Sequence, residues 1–121
     1  MAVGFSVAAA NTHLDAQGTA YSWIKLHVGD PGSAGTANPA TETTRKQATW
    51  GSASSAAKTT TADLVWTNVS GAEDFTHFSM WSASTAGNFG GSGTVTANAV
   101  ASGDTFTIPA GELDLTLPVA S

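Results

Sequence analysis

Apolar residues in this chain fall mostly at every second position, over short stretches broken by Gly, Pro, Asn and Asp. That period belongs to half-buried strands rather than to helices. The exception comes early. From Val7 to Gly18, Ala8, Ala9, Ala10 and Leu14 supply helix propensity, and Gly18 is read as the C-terminal stop. Such a short helix must dock on something to persist. Ala20–Val28 then alternates Ser22, Ile24, Leu26 and Val28 with Tyr21, Trp23, Lys25 and His27, and stops at the turn Gly29-Asp30-Pro31-Gly32.

Ser33–Glu42, with Pro39, shows no period and reads as an unusually long loop, of a kind that is often functional or ordered by a neighbour. The basic pair Arg45-Lys46 leads into a short strand over Gln47–Gly51 containing Trp50, and Ser52–Thr61 reads as an edge strand or a loop. In Ala62–Val69, Leu64, Trp66 and Val69 are core candidates. Ser70–Asp74 reads as a turn with two carboxylates. Phe75–Ser82 places Phe78 and Met80 on one face and Phe75, His77 and Trp81 on the other, as expected of a central strand covered on both sides. Further strands are expected over Phe89–Ala99, Thr105–Ile108 and Leu113–Leu117.

About seven or eight short strands with turns at this spacing imply a mainly β fold, an antiparallel β-sandwich or jelly-roll-like barrel with a short N-terminal helix. The 121 residues make one domain, with an N-terminal arm and helix over 1–19 and a β domain over 20–121 carrying the loop 29–42.

Composition narrows the function. Only 11% of residues are charged, against about 25% in an average domain, so a long coiled coil is excluded. Four basic residues against nine acidic ones give a net charge of −5. No basic stripe exists to neutralise phosphates or to hold an anionic membrane, so neither nucleic acid nor membrane is an expected partner. Without cysteine there is no disulfide, thiolate nucleophile or zinc ribbon. The apolar start Met1–Ala10 lacks the basic flank of a leader and is too short to span a bilayer, so a protein made in a cytoplasm is expected.

Reactive groups are present without a recognisable arrangement. His13, His27 and His77 could be paired on paper with many Ser and Asp residues, but no Gly-x-Ser-x-Gly elbow occurs. In strand patterns His27 and His77 are better explained as structural imidazoles. His13 with Asp15, and His27 with Asp30, match no metal-ligand spacing. Glu73-Asp74 and Asp104 read as solvated turn carboxylates. Glu112 and Asp114 share a strand face, which a polar outer surface explains. Gly87–Gly93 lacks the Lys-Ser/Thr ending of a phosphate loop and reads as a tight turn or bulge. Of Trp23, Trp50, Trp66 and Trp81, three are expected in the core, and any exposed one would suit a sugar or a protein surface. No catalytic residue, metal site or cofactor is expected.

Several segments together carry a resemblance. Gly4-Phe5-Ser6-Val7-Ala8-Ala9-Ala10-Asn11 with Leu14-Asp15 is one, and Leu26-His27-Val28-Gly29-Asp30-Pro31-Gly32 running on to Asn38 is the most distinctive. Thr43–Trp50, Phe75–Trp81 and Gly103–Leu113 complete the set. They resemble small virion structural proteins of actinobacterial tailed phages, a group that bears the label tail fibre and also looks like capsid decoration proteins. The resemblance implies a non-enzymatic virion protein. The first expectation is a decoration or minor capsid protein that binds the major capsid protein and copies of itself and stabilises the head. The alternative is a tail fibre or tail-tip protein that binds a host surface glycan. Candidate contact residues are Phe5 and Val7 in the arm, Asp30, Pro31 and Pro39 in the loop, and Arg45 and Lys46 after it.

Overall fold

The computed structural model describes residues 4–120; the first three residues of the apolar start Met1–Ala10 lie outside them. One helix and eight strands follow in chain order among the described residues: α1 (Val7–Ala20), β1 (Trp23–His27), β2 (Lys46–Gln47), β3 (Ala57–Thr59), β4 (Leu64–Trp66), β5 (Glu73–Trp81), β6 (Phe89–Val100), β7 (Phe106–Ile108) and β8 (Asp114–Thr116). Every strand pair is antiparallel. A four-stranded sheet has the order β2-β1-β5-β6, and two smaller sheets pair β3 with β8 and β4 with β7.

The core forms between one face of the large sheet and the small pairs. Ile24, Leu26, Phe78, Met80 and Val95 come from the large sheet, and Leu64, Trp66, Phe106 and Ile108 from β4 and β7. This is a small β-sandwich whose second layer is divided in two. The register Ile24↔Met80 and Leu26↔Phe78 puts these pairs on the core face, and Trp23↔Trp81, Lys25↔Ser79 and His27↔His77 on the outer face.

The alternation of β5 is broken once. A register shift between Phe75 and His77 turns Phe75 inward, where it is fully buried and packs edge-on against Phe106 at 4.9 Å. Phe75 thus joins Phe78 and Met80 rather than His77 and Trp81, which corrects the period-two reading. Glu73 and Asp74 also open β5 instead of forming a turn, because the Glu73 carboxylate anchors the strand start to the backbone N–H groups of Thr41 and Glu42.

Helix α1 begins as expected, with the Ser6 hydroxyl accepting the Ala9 N–H at 3.1 Å. It runs past Gly18 to Ala20. Gly18 is therefore a packing residue and not a stop. A Cβ there would lie 2.6 Å from Cε of Lys58 and 3.1 Å from the Trp50 indole. Ala10, Leu14 and Gly18 form the buried stripe, one turn apart. Polar side chains then tie the helix down: Asn11 accepts the Ala56 N–H, and Asp15 accepts the Ala53 N–H and the Lys58 ammonium, each of the latter two at 2.8 Å.

The glycines of β6 make room for rings rather than for another backbone. A Cβ at Gly90 would sit 2.1 Å from Tyr21, and one at Gly93 2.8 Å from Phe78, its cross-strand partner. The two chain ends are joined by a parallel bridge between Phe5 and Val119.

Candidate functional site

On the outer face of the large sheet, β1 and β5 bring together three polar groups that sequence separation conceals. His27 Nδ1 lies 2.9 Å from the Ala37 carbonyl oxygen, which can only accept, so Nδ1 carries the proton. Nε2 is then the acceptor for the Ser79 hydroxyl at 2.7 Å. The Ser79 oxygen in turn accepts the Trp81 indole N–H, also at 2.7 Å. Burial pushes the His27 imidazole below its ordinary value, and the positive charge of Lys25 acts in the same direction against the hydrogen bond to Ala37.

A serine hydroxyl this close to an imidazole has the spacing of an activated nucleophile. Both side chains are 0% exposed, so no scissile bond can approach the oxygen. The arrangement is a structural crosslink. It ties β1 to β5 and, through Ala37, holds the long loop to the sheet.

Trp81 extends this cluster. The Arg45 guanidinium stacks over its ring at 4.4 Å, and Phe89 packs on it at 5.6 Å. Arg45 Nη1 also donates to the carbonyls of Ala83 and Ala86, at 2.9 and 2.7 Å. Gly35, in the left-handed region at φ +75°, brings the loop against Phe89, where a Cβ would lie 2.3 Å from the ring.

The residues proposed as contacts fall in different places. Phe5 and Val7 are 42% and 47% exposed, and the Phe5 ring rests on His13 at 5.0 Å. Beside them, α1, β6 and β8 enclose a cleft of about 250 Å³ lined by Leu14, Met80, Leu115 and Leu117. Asp30 is exposed but caps its own turn, accepting the Gly32 N–H at 2.9 Å. Pro31 is buried within the chain, while Pro39 is exposed and bridges to His27. Arg45 is engaged as described, and half-buried Lys46 pairs with Ile24 in β2. The loop 29–42 orders itself, through Val28 N–H to Asn38, Ala37 N–H to Pro31 and Ala40 N–H to Leu26.

The acidic residues have a shared use. Asp15, Asp30, Glu42, Asp63, Glu73, Asp104 and Glu112 each accept at least one backbone N–H. They staple loops in a chain with few regular hydrogen-bond ladders. Among the described residues no three His, Asp or Glu side chains gather as metal ligands, and no helix is long and apolar enough to cross a membrane.

The tryptophans divide in two. Trp66 and Trp81 are buried, and their indole N–H groups donate to Thr44 O and Ser79 Oγ. Trp23 and Trp50 remain half-buried, but Trp50 packs against the core, so three of the four, Trp50, Trp66 and Trp81, serve the interior. Trp50 lines a groove of about 410 Å³ between the end of α1 and the stretch following β2, shared with Thr19, Ser22, Gln47, Thr49 and Lys58. Its Nε1 is a buried donor with no acceptor, a defect that costs about 1–3 kcal/mol. The sequence flags Trp50 only as one of an unusual number of tryptophans. Its association with Thr19 and Gln47 comes from the packing of α1.

No curated protein matches the chain. A family model described as podophage GP4 fiber I protein gp80 matches residues 4–116. That span includes α1, all eight strands and the whole lining of the Trp50 groove. The chain therefore belongs to the podophage GP4 fiber I protein gp80 family.

Proposed function

We propose that this protein is a non-enzymatic subunit of a phage fibre, built into the virion alongside copies of itself, and that it contacts a host surface glycan. The observation that carries the proposal is the fibre-family match over residues 4–116. The closed state of the Ser79–His27 pair supports a role without turnover, since the hydroxyl best placed to react has no surface. Capsid decoration, with the major capsid protein as partner, rests on the resemblance of sequence segments alone and is the weaker reading.

The test is immunogold labelling of intact virions, combined with copy number by quantitative mass spectrometry. Label on tail appendages at low copy number is the expected result. Label spread over the head, with a copy number tracking the major capsid protein, would replace the fibre reading with decoration.

A further inference from the structure

We infer that the groove beside Trp50 is the saccharide-binding site of this protein, and that its ligand is neutral. This rests on the fibre reading and names the site and ligand class that would serve it. Two features of the groove point the same way.

The first is chemistry. Thr19, Ser22, Gln47 and Thr49 offer neutral hydroxyl and amide groups around a half-buried indole. Sugar hydroxyls both donate and accept, and hydroxyl and amide side chains do the same. The apolar faces of sugar rings meet aromatic surface. Gln47 Nε2 already donates to Ser22 Oγ at 3.2 Å, so the two are held in a common orientation. The second feature is charge. The one charged side chain in the lining, Lys58, is 6% exposed and spends its ammonium on Asp15 at 2.8 Å. Nothing there attracts an anionic sugar, and the chain's net charge of −5 disfavours one. A volume of about 410 Å³ is ample for one or two sugar rings.

The test uses the full chain and a panel of neutral trisaccharides (maltotriose, cellotriose, triacetylchitotriose and mannotriose) at millimolar concentration, with maltotrionic acid as the charged control. Binding is read by calorimetry and by NMR of the four indole N–H signals. At least one neutral member should bind and shift the Trp50 signal. Trp50→Ala should weaken it at least about tenfold and Gln47→Ala several-fold, while Trp23→Ala leaves it unchanged. Gln47 is exposed, so its variant keeps the test sound even if Trp50→Ala fails to fold. A panel that leaves the Trp50 signal unmoved overturns the inference, as does binding that survives Gln47→Ala and Trp50→Ala unchanged. Either result leaves the fibre reading standing, since virion labelling decides that separately.

Discussion

The outer-face cluster around Trp81 and the groove around Trp50 use the same side chain to opposite ends. At Trp81 the indole is stacked between Arg45 and Phe89, and its N–H is passed along a closed chain through Ser79 and His27 to Ala37. At Trp50 the ring is half-open and its N–H meets nothing. A cluster with every donor matched fixes strand register and holds a loop down. The difference separates a region in which every donor is matched from one that carries a buried donor without an acceptor.

The largest expected effect is at the closed cluster. Trp81→Ala removes the stacking surface of Arg45 and Phe89 and should cost about 3–5 kcal/mol, read as a lower urea midpoint. Trp50→Ala should cost less, because its indole is already partly exposed.

A sharper version removes only the N–H. Trp81→Phe leaves the buried Ser79 oxygen without its donor and should cost about 1–3 kcal/mol. Trp50→Phe deletes a donor that has no partner, and should be neutral or stabilising in the same titration. Equal losses for the two variants would remove the distinction between the regions.

Next comes acid. Burial lowers the His27 pKa in the folded chain below its ordinary 6.5, so the unfolded chain binds the proton more readily. Stability should therefore fall as pH drops below about 6.5 and level off beneath the depressed folded value. Protonation would also turn Nε2 from acceptor to donor and break the bond from Ser79. His27→Gln should flatten this dependence, as followed by unfolding midpoints across the pH range. The Trp50 indole signal should stay unchanged over the same range.

The smallest effect belongs to Asp15, whose carboxyl is held below its ordinary 3.8 by the Lys58 ammonium and the Ala53 N–H. It favours the folded state above that pH and loses the advantage as pH falls through the lowered value. Asp15→Asn should remove this last acid-sensitive step.

Much of the architecture could be read in advance because it depends on local period. Ile24 and Leu26 in β1, Leu64 and Trp66 in β4, and Phe106 and Ile108 in β7 are buried as their alternation requires. The start of α1 at Val7 follows from the alanine run, and the structure adds the Ser6 cap that fixes it. Phe75 could not be placed, because the irregularity that turns it inward lies in the pairing of β5 with β6 and not in its neighbours along the chain. Gly18 misled for a related reason. A helical glycine signals a stop unless a partner presses on it, and here the partners, Lys58 and Trp50, lie far along the chain.

By itself, then, the order of residues determined a charge-poor, antiparallel β fold with one docked helix, and ruled out partners that need a basic surface. Alternation and composition are properties of neighbouring residues and survive without a third dimension. Only the tertiary structure decided that Ser79 closes on His27 across β1 and β5, that the loop 29–42 folds onto its own sheet, and that Trp50 meets Thr19 and Gln47 around one groove. Those associations depend on strand register and on where the helix settles, and both are set by burying the whole core at once.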